Sequence, residues 1–130
     1  MKKIVISGSS SLRDKIDYWL ERLNKEYEIL DYPRHIDTEK LISEMPETYK
    51  RFYNSIENTD VLFVMNEDKN GIEGYIGASA IAELTYAVIQ NLIHNKNIEI
   101  YILNMPSKQV PSYEEVKLWL DLGWIKVWED

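Results

Sequence analysis

The most constraining feature of this sequence is a pair of short, unbroken apolar runs, at residues 4–6 and 61–65. Both are rich in Ile and Val, and both end directly at small or polar residues. Runs of this length and composition are typical of strands that are buried on both faces of a parallel sheet. The chain is therefore expected to build its core around these two strands.

Between and after these runs, apolar residues recur at helical and strand spacing. We predict helices that begin at Ser11 and Ser112, each with an acidic residue three positions later as a capping box. A third helix spans residues 79–95, and the segment between the second and third strands forms a short helix to Ser43 and another to residue 58, with Pro46 as the break. The remaining strands are predicted at residues 27–32, 98–103 and 124–128.

Strict alternation of strands and helices favours right-handed crossovers and a parallel sheet covered on both faces. We predict one domain, residues 1–130, with an α/β three-layer sandwich and a flavodoxin/Rossmann-like five-stranded sheet of order 2-1-3-4-5. Ligands bind such sheets beyond the carboxyl ends of the strands, where the strand order reverses. The loops that meet there, after strands one and three, hold four of the five glycines.

Charge and composition exclude several classes of function. The net charge of −7 argues against binding to a nucleic-acid polymer or an anionic membrane. The absence of cysteine excludes disulfides and thiolate metal sites, and the two distant histidines do not predict a metal site. No apolar stretch is long enough for a signal-peptide core or a membrane span, so we expect a complete, cytoplasmic protein.

Two segments at the predicted crevice carry possible chemistry. The loop Gly8-Ser9-Ser10-Ser11 offers backbone N–H groups and hydroxyls to an anion, or is a tight turn; it matches neither a P-loop nor a dinucleotide fingerprint. Arg34 beside His35 is open to the same two interpretations, an anion contact or a solvated loop.

The third helix has polar and small residues along one line. Ser79, Glu83, Ala87, Gln90 and His94 lie within about 40° of each other around the axis. This line is either the solvent face of the helix or a face that directs Glu83 toward the crevice. Because Glu83 lies barely one turn into the helix, its carboxylate would reach a ligand in the second case.

The strings DVLFVMN at residues 60–66, GYIGAS at residues 74–79 and AELTYA at residues 82–87 resemble the nucleoside 2-deoxyribosyltransferase superfamily. That superfamily includes relatives that hydrolyse the N-glycosidic bond of 2′-deoxynucleoside 5′-phosphates. The resemblance implies that Glu83 is the nucleophile and that Asp60 lies near the nucleobase as a second catalytic residue. It implies substrate binding by residues of the crevice loops, namely Gly8, Ser9, Ser10, Asn66, Gly77 and Ser79. No cofactor is expected.

The chain also departs from the superfamily pattern. Gly77 stands where the transferases often have an Asp, and serines replace an aromatic residue in the first loop. These serines suit a phosphate better than a hydroxymethyl group, so hydrolysis of a nucleoside 5′-monophosphate is favoured slightly over base exchange. A nucleotide-sensing module without catalysis is the alternative.

A third possibility is a protein-interaction module that uses the tryptophans at positions 119, 124 and 128, although packing within the core is the simpler explanation. The third helix is apolar on two sides, with Leu84 and Val88 on one and Ile89 and Ile93 on the other. One side suffices to face the sheet. The second side predicts a homo-oligomer, in agreement with the resemblance.

Overall fold

The structure is a computed structural model that describes residues 1–129. Its five strands form one parallel sheet in the order β2-β1-β3-β4-β5, which confirms the predicted fold class. The strands are β1 Lys2–Ser7, β2 Tyr27–Asp31, β3 Val61–Val64, β4 Glu99–Ile102 and β5 Lys126–Val127. The helices are α1 Arg13–Leu23, α2 Leu41–Glu57, α3 Ala78–His94 and α4 Tyr113–Asp121, with a 3₁₀-helix at Thr38–Lys40.

The two apolar runs of the sequence are the central strands β1 and β3. Every residue of β3 is buried, because one face of the sheet packs against α2 and α3 and the other against α1. Within β1, Val5 faces the first of these layers, whereas Ile4 and Ile6 face the second. Alternation of side chains along a strand thus places a complete apolar run in two separate cores.

The layer on the α1 side has a single helix, and the carboxyl-terminal segment completes it. The Trp128 ring packs against Phe63 and Tyr101, with ring centroids 5.0 and 5.2 Å apart. Trp119 is half-buried on the opposite face, and only Trp124 is substantially exposed, at 41%. Packing, rather than an exposed aromatic patch, accounts for most of the carboxyl-terminal tryptophans.

Both predicted capping boxes are wrong. Helix α1 begins at Arg13 after Leu12, and the Ser11 hydroxyl lies 2.9 Å from the Ser9 hydroxyl instead of on a helix N–H group. Ser112 does precede α4, but its side chain makes no cap hydrogen bond. The Ser112 Oγ atom is buried without a hydrogen-bond partner among residues 1–129.

Pro46 does not divide the second crossover into two helices. It lies inside α2, which runs continuously for 17 residues after the 3₁₀-helix. Proline in the second turn of a helix removes one backbone hydrogen bond. Burial of Phe52 and Ile56 against the sheet and α3 holds the helix together despite that loss.

The last strand is shorter than predicted, with two residues instead of five. The long helix α3 ends at His94, and the next residue, Asn95, adopts the left-handed conformation common at helix ends, with φ of 54°. Within residues 1–129, no helix has both the length and the apolar character needed to span a membrane.

Candidate functional site

A cavity of about 640 Å³ opens at the carboxyl ends of β1, β2 and β3. This volume lies within the range of small-molecule binding sites. The cavity is the predicted crevice, and its walls come from the loops after β1 and β3, the segment after β2, and helices α2 and α3. It brings together seven of the eight residues predicted for the site: Gly8, Ser9, Ser10, Asn66, Gly77, Ser79 and Glu83.

Glu83 is buried at the cavity wall, with only 9% of its surface exposed. The Ser7 hydroxyl, at the end of β1, donates a hydrogen bond of 2.5 Å to Glu83 Oε1. The other carboxylate oxygen, Oε2, accepts no hydrogen bond from residues 1–129, so it is free to meet a ligand.

Burial raises the pKa of Glu83 from 4.5 to about 7. The hydrogen bond from Ser7 opposes this rise, and the charge of Asp31 adds to it. Burial raises the pKa of the Tyr53 phenol on α2, and the nearby charge of Glu83 adds to that rise. A carboxyl group that titrates near neutral pH in a cavity marks a candidate catalytic site.

The polar line along α3 is therefore not a solvent face. Glu83, Ala87 and Gln90 are buried, whereas Ser79 and His94 at the two ends of the helix are exposed. The helix rests on the sheet with this line turned inward, which directs the Glu83 carboxylate to the end of β1.

The structure does not bring Asp60 to the cavity. This residue precedes β3, so it lies at the amino-terminal edge of the sheet, where its carboxylate accepts a 2.8 Å hydrogen bond from the Lys3 backbone N–H. In a parallel sheet all amino ends share the edge opposite the crevice. The assignment of Asp60 as a catalytic residue beside the ligand is thus corrected.

Asn66 lines the cavity, but its side chain is occupied by the protein itself. Its amide nitrogen donates to the carbonyls of Gly74 and Asn104, at 3.2 and 2.7 Å. Its amide oxygen accepts from the backbone N–H groups of Leu103 and Asn104, at 2.8 and 3.0 Å. Because both donors are used, the side chain ties together the loops after β3 and β4 and leaves no N–H group for a ligand.

The loop after β1 is joined to the loop after β3 by a lysine that was not among the residues predicted for the site. Lys69 Nζ donates a 2.8 Å hydrogen bond to Ser9 Oγ, and both residues line the cavity. Gly8 also lies close to the second loop, since a Cβ atom there would be 3.1 Å from the Met65 carbonyl oxygen. This part of the cavity thus offers an ammonium group, serine hydroxyls and closely packed backbone.

Two arginines give the cavity a second cationic region, on the side next to β2. Asp31, completely buried at the end of that strand, accepts hydrogen bonds from Arg34 Nε at 3.4 Å and Arg51 Nε at 3.2 Å. Both arginines line the cavity. Arg34 also lies over the ring of Tyr32, 4.2 Å from its centroid. Only Arg34 was among the candidates from the sequence.

Helix α2 provides an apolar wall beside these arginines. The side chains that line the cavity there include Leu41, Met45, Tyr49 and Phe52. Tyr75 lines the opposite side, where its ring lies 5.3 Å from Lys69 Nζ. Apolar and aromatic walls with a few convergent polar groups are the usual composition of a small-molecule site.

The histidines lie away from Glu83. His35 pairs with Asp37 at 3.3 Å on the surface, and His94 is exposed at the end of α3. Among residues 1–129, no group of three or more His, Cys, Asp or Glu side chains is arranged to hold a metal ion.

No protein-family model matches the sequence, and no curated protein matches it significantly. A similar solved structure is FerB, a flavoenzyme NAD(P)H:(acceptor) oxidoreductase from Paracoccus denitrificans. The two chains are 18% identical, the match covers 99% of this chain and 76% of FerB, and the TM-score is 0.42. A similarity this low assigns no activity to the present chain.

Proposed function

We propose that this protein cleaves the N-glycosidic bond of a nucleoside 5′-monophosphate, with Glu83 as the nucleophile. The observation that carries the proposal is the state of the Glu83 carboxylate. One oxygen is held by Ser7 and the other is unpartnered at the wall of a nucleotide-sized cavity. The resemblance of residues 60–87 to the nucleoside 2-deoxyribosyltransferase superfamily supports the same role for this residue.

The chemistry follows from a carboxylate fixed by one of its oxygens. Glu83 Oε2 attacks the anomeric carbon of the sugar, and the bond from that carbon to the base nitrogen breaks with its electron pair going to the base. The base takes up a proton as it leaves, and a glycosyl ester of Glu83 remains. Water then attacks the same carbon and gives up a proton, and the C–O bond to Glu83 breaks with its electron pair returning to the carboxylate. In a transferase, a second base attacks in place of water.

The hydrogen bond from Ser7 contributes orientation. It fixes the plane of the carboxylate and leaves Oε2 as the attacking atom, which has to approach the anomeric carbon to about 3 to 3.5 Å. It also favours the ionised form, which is the nucleophile, against the desolvation that favours the neutral form.

The loops after β1 and β3 suit the 5′-phosphate of such a substrate. Lys69 and Ser9 provide an ammonium group and a hydroxyl, and Ser79 lies at the amino-terminal end of α3, where backbone N–H groups favour an anion. In a chain of net charge −7, a lysine at a cavity wall is a local exception. It supports a phosphorylated substrate over a free nucleoside.

The test is release of free base from a panel of ribo- and deoxynucleosides and their 5′-monophosphates, measured by chromatography with and without an added acceptor base. Wild type is expected to release base, and Glu83→Gln, which keeps the shape and the Ser7 contact, is expected to lose at least about 10³-fold in rate. Glu47→Gln, an exposed carboxylate on α2, is the matched control. Dependence on the acceptor separates transferase from hydrolase.

Two results would contradict the proposal. Base release that survives in Glu83→Gln would refute the nucleophile. If wild type binds nucleotides by calorimetry but releases no base from any of them, the protein is a nucleotide-binding module and the proposed catalysis is wrong.

A further inference from the structure

A completely buried carboxylate lies behind the cavity wall without lining the cavity itself. Asp31 Oδ1 accepts the backbone N–H of Tyr32 at 2.9 Å and Arg34 Nε at 3.4 Å. Its other oxygen, Oδ2, accepts Arg51 Nε at 3.2 Å. One carboxylate thus joins two arginines that come from different elements, the segment after β2 and helix α2.

Both arginines reach from this carboxylate to the cavity. Their side chains are about half exposed, at 47% for Arg34 and 50% for Arg51, and both line the cavity. Each uses only its Nε–H on Asp31. The four N–H donors on the Nη atoms of each guanidinium have no hydrogen-bond partner within residues 1–129.

Stabilisation of the fold alone gives little reason for this buried ion group. A buried carboxylate with two arginines is often no more stable than apolar residues of similar volume. What it does provide is fixed orientation, because two long flexible side chains are held at one point by their Nε atoms. Both arginines therefore line the cavity with the Nη donors of their guanidinium groups unused.

We propose that Asp31 is a positioning residue that holds Arg34 and Arg51 so that they bind a substrate group with two adjacent hydrogen-bond acceptors. This inference rests on the proposed function for the identity of the substrate. Guanidinium groups present their donors as a planar fork, which matches paired acceptors such as the O6 and N7 atoms of guanine or two oxygens of a phosphate.

The order of the strands shows how this side of the cavity differs from the other. Glu83 is anchored to β1, which lies between β2 and β3 in the sheet. Lys69 belongs to the β3 side, whereas Asp31 and its two arginines belong to the β2 side, beside the apolar wall of α2. A ligand whose sugar lies at Glu83 therefore has a cationic contact available on each side.

The test uses binding as its main readout, in the Glu83→Gln background, so that it does not depend on turnover. Calorimetry measures the affinity for 2′-deoxyguanosine 5′-monophosphate, 2′-deoxyguanosine and 2′-deoxyadenosine 5′-monophosphate. Asp31→Asn and Arg51→Gln are each expected to weaken binding of the first probe about 10-fold or more. Lys50→Gln, the neighbouring exposed residue on α2, is the matched control and is expected to leave the affinity within about twofold.

The double variant distinguishes positioning from a general structural effect. If Asp31 acts through Arg51, combining Asp31→Asn with Arg51→Gln costs clearly less than the product of the two single losses. Arg51→Lys keeps a cation for Asp31 but removes the fork, so it is expected to fold like wild type and still bind the probe about 10-fold more weakly. If wild type turns substrate over, Asp31→Asn raises KM by more than it lowers kcat.

The three probes identify the substrate group. Equal losses for the two guanine probes, with little loss for the adenine nucleotide, assign the arginines to the base edge. Losses confined to the two phosphorylated probes assign them to the phosphate. Unchanged affinity for all three probes in both Asp31→Asn and Arg51→Lys, or fully multiplicative losses in the double variant, would overturn the inference, as would a failure of the parent protein to bind any of them.

Discussion

Replacing Glu83 by glutamine is expected to stabilise the folded protein, and to do so only at higher pH. Glutamine has the shape of the protonated carboxyl group and keeps an oxygen that accepts the Ser7 hydroxyl. The variant therefore removes the charge of Glu83 without opening a cavity. Any difference in stability that depends on pH then reports the cost of ionising Glu83 in the folded state.

The magnitude follows from the pKa. Folding raises the pKa of Glu83 from 4.5 to about 7, and each pKa unit corresponds to about 1.4 kcal/mol, so the full effect is about 3 kcal/mol. The folded state binds the proton more tightly than the unfolded state. The free energy of unfolding of wild type therefore falls, relative to Glu83→Gln, as the pH rises from about 4.5 to 7. Above that range the variant is the more stable protein by the full amount.

Urea denaturation at pH 5, 6, 7 and 8, at constant ionic strength, measures this difference at each pH. The expected gain of Glu83→Gln over wild type is smallest at pH 5 and approaches about 3 kcal/mol at pH 8. Glu47→Gln controls for the removal of one negative charge from an acidic protein. A difference between Glu83→Gln and wild type that stays constant across the four pH values would refute the argument, because it would mean that burial does not disfavour the Glu83 charge.

Four further predictions follow from the same geometry. Because the ionised form of Glu83 is the nucleophile, kcat/KM should rise with pH and level off above about 7; a flat profile from pH 5.5 to 8.5 would contradict this. Asn66→Ala leaves buried backbone groups of two loops unpaired and should cost about 2 to 4 kcal/mol in urea denaturation. Gly74→Ala should lower the Tm well below that of Gly71→Ala, since both have positive φ but only at Gly74 would a Cβ meet backbone, 2.8 Å from a carbonyl oxygen. Wild type should sediment above 15.4 kDa and Ile93→Lys, at a position 67% exposed, should shift it toward the monomer; a wild-type monomer at micromolar concentration would refute the predicted oligomer.

The sheet could be predicted because its signals are local. The apolar runs that became β1 and β3 lie within a few neighbouring residues, and the alternation of elements then allows few strand orders. Details at the helix ends could not be predicted in this way. Ser11 has the residue type of a cap, but its hydroxyl pairs with Ser9, and Ser112 is oriented without a cap bond. Several hydrogen-bond donors and acceptors compete for such a side chain, and the sequence does not rank them.

The candidate site was predictable where it depends on topology and hidden where it depends on side chains that meet across the fold. The strand order alone was enough to predict that the loops after β1 and β3 meet at the same crevice. The contact from Lys69 to Ser9 joins residues 60 positions apart, and no pattern in either segment indicates it. Asp60 shows the reverse error, since a resemblance gave it a role although a residue that precedes a parallel strand lies at the edge away from the ligand.

The burial of Glu83 explains why its role is hard to predict from the sequence, and the proposed chemistry depends on the same burial. A single glutamate on a helix is usually at the surface, and only tertiary packing decides otherwise. The same packing that buries Glu83 against β1 disfavours its charge, which lowers the stability of the fold at neutral pH and leaves an ionised carboxylate poorly solvated. In the proposed reaction, a sugar carbon that develops positive charge in the transition state would stabilise this ionised carboxylate. The stability that Glu83→Gln is expected to gain and the activity that it is expected to lose thus have one physical origin.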